Sequence, residues 1–144
     1  MDAVYFDHAA TTPLDQRVLD KMQPYFTEEF GNASSAHQFG RTAKVAIEEA
    51  RETIAALIGA EPSEIVFTSG GTESDNAILK GVTAATRKTE IITSPIEHHA
   101  VIHPAESLKR QGVKIIYLEP NENGEKPPEQ VADAINDDTA IVSL

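Results

Sequence analysis

The chain has 144 residues, 40% apolar and 24% charged, a composition that suits one ordinary globular core. Its 12 basic and 23 acidic side chains leave a net charge of −11, which argues against a general nucleic-acid surface, because phosphate contacts need clustered Lys and Arg. It contains no cysteine, which excludes disulfides and thiolate metal sites. No apolar run nears the roughly 20 residues of a membrane span, and no basic segment followed by an apolar stretch opens the chain, so the expected compartment is the cytoplasm.

Residues 1 to 14 read as an extended arm ending at Thr11-Thr12-Pro13, followed by a short helix from Asp15 to about Tyr25 with Val18, Leu19 and Met22 on one side. Gly31, Asn32, Ser34 and Ser35 mark a loop over residues 30–35. A longer helix is predicted from about Ala36 to Ile58. In it Ala43, Ile47, Ala50, Ile54, Leu57 and Ile58 recur at spacings of three or four, the period of one buried face. Gly59 is its natural stop. A β-branched strand is predicted at Ile65 to Thr68, then a helix from Thr72 to about Thr86 and a strand from Glu90 to Thr93. A helix of about Ala100 to Gln111, a strand of Val113 to Leu118 and a turn at Asn121 to Gly124 follow. A helix near Pro128 to Ile135 and an apolar strand from Thr139 to Leu144 complete the pattern. Strands alternating with helices predict an α/β fold with a mostly parallel sheet, its strands short and apolar because both faces are covered. A chain that stops within or just after such a strand is expected to be the N-terminal piece of something longer.

Two segments carry the chemistry. Thr68-Ser69-Gly70-Gly71-Thr72-Glu73-Ser74-Asp75-Asn76 has the form of a phosphate-binding turn between a strand and a helix. Two glycines allow close approach to an anion, and the helix-start amides with the Thr72 hydroxyl can donate to phosphate oxygens. The plainer reading is a tight turn with an N-capping threonine and no ligand. Glu97-His98-His99-Ala100-Val101 offers an imidazole at the end of the next strand. The ring is planar and titrates near neutrality, which suits stacking and proton transfer. The plainer alternative is a strand-end histidine that caps a helix. His99 and His103 are four apart and could share a helix face, but there is no His-Glu-x-x-His order, no cysteine and no evident third ligand. Polar surface at a helix start is the preferred reading, and no metal site is expected.

These segments, with Tyr5-Phe6-Asp7-His8-Ala9-Ala10-Thr11-Thr12-Pro13 and Phe30-Gly31-Asn32-Ala33-Ser34-Ser35-Ala36-His37, occur in order along the chain. In that order and spacing the chain resembles the NifS/IscS-type cysteine desulfurases, pyridoxal-phosphate enzymes of the class V aminotransferase group. The resemblance implies the N-terminal part of a fold type I large domain, with residues 1–28 as arm and short helix and residues 29–144 as an incomplete cofactor-binding domain. It implies pyridoxal 5'-phosphate as cofactor, with Gly71 and Thr72 at its phosphate and His98 stacked on its ring as the catalytic residue. It also implies L-cysteine as substrate, and a sulfur-acceptor protein, either an iron–sulfur scaffold or a tRNA-thiolating enzyme, as partner. A homodimer is expected for the intact protein, with no direct nucleic-acid or membrane contact. Asp7, His8, Thr11, Thr12, Asn32 and His37 would lie near the active site without a catalytic role. Lys80 falls mid-helix and would be structural. The lysine that holds the cofactor covalently and the cysteine that accepts sulfur would lie beyond residue 144, so the 144-residue chain alone is expected to be inactive. The competing expectations are another enzyme of this group, such as a selenocysteine lyase, and a non-catalytic truncated or split-gene fragment. A nucleotide-binding domain ranks below both, because neither glycine signature of that class is present.

Overall fold

The computed structural model describes residues 3–144, which divide after Val66 into two compact units. The first unit holds two helices. Helix α1, Gln16–Thr27, starts at Asp15, whose carboxylate accepts the Arg17 amide at 2.8 Å and pairs with the Arg17 guanidinium at 2.7 Å. No residue of α1 is buried. Helix α2, Gln38–Ile58, is capped by His37 and ends at Gly59 in the left-handed conformation. A single 3-10 turn, Pro62–Glu64, packs against it, closed by the Glu61 amide donating to Glu64 at 2.8 Å. Close approach fixes the start of α2: a Cβ on Gly40 would stand 2.2 Å from the Ser35 carbonyl oxygen, so only glycine fits there.

The predicted buried face of α2 is largely uncovered. Ala43 is buried, as is Ala55, which the periodicity does not single out, whereas Ile47, Ile54, Leu57 and Ile58 are exposed. The physical reason is local: within this unit the main element against α2 is a three-residue turn, too small to cover a six-turn helix.

The second unit is the α/β part. Helix α3, Gly71–Thr86, precedes strand β1, Glu90–Thr93, helix α4, His99–Arg110, strand β2, Lys114–Tyr117, helix α5, Pro128–Ala134, and strand β3, Thr139–Val142. The sheet is parallel with order β2-β1-β3, so the chain crosses β1 between its second and third strands. Ile91 pairs with Ile115 on one side and Ile141 on the other. All four residues of β1 are buried, as a central parallel strand requires. Leu79 of α3, Ile91 of β1, and Val101 and Leu108 of α4 form the core, with Val113, Ile115 and Ile141 packed around it. The buried positions of α4, Ala100, Val101, Pro104, Ala105 and Leu108, lie along one helical stripe.

The predicted strand at Ile65–Thr68 does not form. The run is extended at Ile65, but none of the three described strands pairs with it, and Val66 is 78% exposed. β-Branched residues favour an extended backbone; a strand also needs a partner for its amides and carbonyls. Here the Ile65 carbonyl oxygen instead accepts from the Arg51 guanidinium.

One polar network pins the N-terminal ends of the sheet. Glu90 accepts from Lys114 Nζ at 2.6 Å and from Asn136 Nδ2 at 2.7 Å, tying β1 to β2 and to the loop before β3. The Lys114 and Asn136 donors hold the Glu90 carboxyl below its ordinary range. No helix among the described residues is long and apolar enough to cross a membrane.

Candidate functional site

The glycine turn is built as an open helix start. Gly70 precedes α3 with φ 156° and ψ 179°, a conformation that side-chain-bearing residues rarely adopt. The Glu73 and Ser74 amides turn back to the Gly70 carbonyl at 3.1 Å each, which leaves the Gly71 and Thr72 amides as the open donors of this end. Space is also available, since a Cβ at Gly70 or Gly71 would meet no atom within 4 Å. The turn is braced from behind. Glu73 Oε2 accepts both the Ser69 amide and the Ser69 hydroxyl at 2.7 Å, and the Thr68 and Ser74 hydroxyls lie 2.7 Å apart. The two Ser69 donors, the amide first, hold the Glu73 carboxyl below its usual range.

The imidazole of His98 sits at the start of α4. Its Nδ1 accepts the Ala100 amide at 3.0 Å. In the neutral ring the proton then resides on Nε2, which is left outward as a donor. The plainer reading is therefore met: the residue caps the helix through one nitrogen, and the other is left for a ligand. The loop before it is held by Glu97, which accepts the Ser143 hydroxyl at 2.9 Å and the His98 amide at 3.3 Å.

Thr72 and His98 line one groove of about 300 Å³ between α3 and α4. Asn76 and Lys80 continue its wall on α3, and His99, His103 and Ser107 continue it on α4. Lys80 is mid-helix and exposed, and among the described residues it is the one Lys, Arg, Asp or Glu that lines that groove. His99 and His103 stack with ring centroids 5.0 Å apart and planes 22° from parallel. Among the described residues no group of three or more His, Cys, Asp or Glu is placed to hold a metal ion.

The remaining residues that the sequence singles out lie in the first unit. Asp7 closes a turn, its carbonyl accepting the Ala10 amide at 3.1 Å, and His8 meets the Tyr5 ring edge-on at 5.2 Å. Thr11 and Thr12 follow in the exposed arm. Asn32 is a turn former, its Oδ1 accepting the Ser34 amide at 2.8 Å. His37 is an exposed helix-start residue whose Nδ1 accepts the Gly40 amide at 3.4 Å. Sequence reasoning did not single out the bracing roles of Glu73, Glu97 and Ser143. Glu97 and Ser143 are 46 residues apart and meet only because β3 lies beside β1.

A parallel α/β unit that sets an anion-receptive helix start and an outward imidazole over one groove has the layout of a phosphate-anchored cofactor domain. The chain belongs to the aminotransferase class-V family, whose pattern matches residues 4–144. It is 52% identical over 144 residues to the cysteine desulfurase IscS of Neisseria gonorrhoeae, covering 98% of this chain and 36% of that protein. Among solved structures it superposes on a NifS-like protein with a TM-score of 0.89 at 43% identity, over 96% of this chain and 39% of that one. It also superposes on SspA in complex with cysteine, with a TM-score of 0.88 at 41% identity, over 96% of this chain and 40% of that one. The chain thus spans a little over a third of the length of the curated relatives it matches. Pyridoxal phosphate is the cofactor of this family, and the residues present suit it: two open amides and a hydroxyl for an anion, and an exposed planar ring in the same groove.

Proposed function

We propose that residues 1–144 form the part of a pyridoxal-phosphate-dependent cysteine desulfurase that grips the cofactor phosphate and faces its ring. In this reading residues 1–28 serve as the arm and residues 29–144 as part of the cofactor-binding domain. The observation that carries it is the shared groove of Thr72 and His98, each at the start of a helix that packs into the core, α3 through Leu79 and α4 through Val101 and Leu108. The substrate is L-cysteine, and the sulfur goes to an acceptor protein that serves iron–sulfur cluster assembly or tRNA thiolation. Support for the substrate comes from the desulfurase relatives and from the cysteine complex of a structural neighbour. The whole protein works as a homodimer in the cytoplasm.

Each residue has a defined task. The Gly71 and Thr72 amides and the Thr72 hydroxyl bind the phosphate dianion, aided by the positive end of α3. Gly70 and Gly71 let the anion approach without steric cost. His98 lies against the cofactor ring and holds a proton at Nε2, because its Nδ1 is committed to the Ala100 amide. Glu97 and Ser143 hold the loop that carries His98 in place. When bound, the cofactor supplies an electron sink for bond breaking beside the substrate amino group. These 144 residues contain no cysteine, so the thiolate that takes the sulfur has to come from outside them.

A chimaera tests the proposal. Residues 1–144 replace the matching segment of the Neisseria gonorrhoeae desulfurase, and alanine release from L-cysteine is measured. Retained activity supports the reading, whereas a folded, cofactor-loaded chimaera that releases no alanine rejects it.

A further inference from the structure

The desulfurase reading uses His98 and leaves the next two histidines of α4 without a task. His99 and His103 are one helical turn apart on the same helix, both exposed, with their rings stacked at 5.0 Å. Both line the groove between α3 and α4. Helical spacing of four brings two imidazoles to one side of a helix, the arrangement that presents paired nitrogens to a metal ion. A metal held by both rings at about 2.0–2.1 Å needs its two nitrogens within roughly 4 Å of each other. Exposed rings already stacked face to face reach that by side-chain rotation, with no change in the helix.

We propose that His99 and His103 form a two-imidazole site for a borderline divalent transition-metal ion, with water completing the coordination. The donor set decides the class of ion. Two neutral imidazoles suit Cu²⁺, Ni²⁺ and Zn²⁺, and offer nothing that selects Mg²⁺ or Ca²⁺, which prefer oxygen. The chain has no thiol to compete for the ion. Among the described residues no carboxylate lines the groove; the charged group facing the pair from α3 is Lys80, and His98 faces it from the start of α4. Lys80 is the charge that opposes the metal from α3. His98 stays out of the site in its capping state, because its Nδ1 holds the Ala100 amide and its Nε2 carries the proton.

The test is calorimetric titration of the full chain with Ni²⁺, Zn²⁺ and Cu²⁺, followed in parallel by NMR of the histidine ring protons. The expected result is one ion per chain, Cu²⁺ tightest, with the His99 and His103 signals broadened or shifted first. His99→Gln and His103→Gln each weaken binding by more than roughly tenfold, since even the outer partners of a metal ligand are worth about 10–100-fold. His37→Gln, at the cap of α2, leaves binding unchanged, which shows that this surface histidine takes no part. Binding that survives both groove substitutions, or no stoichiometric binding of any of the three ions above pH 7, overturns the proposal. Equal binding of Mg²⁺ would also overturn it, by revealing attraction to the acidic surface instead.

Discussion

In the proposed function His98 carries two jobs on one ring, and they can be separated. Its Nδ1 caps α4, and Nε2 is the nitrogen that the proposed function uses. Replacing it by alanine removes both. Replacing it by asparagine keeps an acceptor that caps well and removes the ring. His98→Ala is expected to lose about 1 kcal/mol of stability in urea unfolding. His98→Asn is expected to lose less than half of that, while both abolish alanine release in the active chimaera. Equal destabilisation by the two variants would show that the cap is not what the imidazole contributes. The glycine turn is a second residue-scale case. Paired glycines are visible in the sequence, and the structure separates them: Gly70 takes a backbone shape that other residues rarely adopt, and Gly71 is the first residue of α3. Glu73 was less legible, because an acidic residue in a first helical turn is ordinarily only a charge near a dipole. Here it reaches back to clamp Ser69.

At the scale of elements, the sheet is held at one end by Glu90. Its carboxyl sits below the ordinary carboxylate value of 4.5, chiefly because Lys114 donates to it. A depressed folded-state value means stabilisation that is complete above the unfolded value and lost as pH falls through the folded one. Unfolding in urea at pH 7 and at pH 3 checks this. The unmodified chain is expected to lose more stability between the two pH values than Glu90→Gln does, and a parallel loss in both would discard the assignment. Most element positions could be read from period and punctuation. β1 was placed at its true limits, and α1 to α5 to within a few residues, because Asp15, Gly59 and the proline at residue 128 act locally. The strand at Ile65–Thr68 was misread for the opposite reason. Its composition is that of a strand, yet whether a run pairs depends on where other segments lie.

For the whole molecule, size and exposure matter more than any one contact. The chain covers 36% of the Neisseria relative, and it contains no cysteine. The purified 144-residue chain is therefore expected to release no alanine from L-cysteine with pyridoxal phosphate added, measured against the active chimaera as control. Alanine release by the chain alone would contradict the assignment of the sulfur-accepting thiolate to other residues. The first unit also leaves large apolar side chains in water, among them Phe6 at 90% exposure and Leu57 at 80%. Periodicity identified the apolar stripe of α2 but could not tell whether anything covers it. A stripe records what a helix is able to bury, and burial needs an opposing surface.

By itself the sequence determined the order and kind of nearly every element, the glycine turn, the capping histidine and the membership of a family. All of these follow from local preference and from motifs within a few residues. Tertiary structure alone decided that Thr72 and His98 share a groove, that Ser143 reaches Glu97, that Glu90 joins β1, β2 and the loop before β3, and that Ile65–Thr68 is not a strand of the described sheet. Each of these joins or separates residues far apart in the chain. Such pairings are fixed by the parallel register of β1 with its two neighbours and by the packing of α3 on α4, which no local pattern encodes.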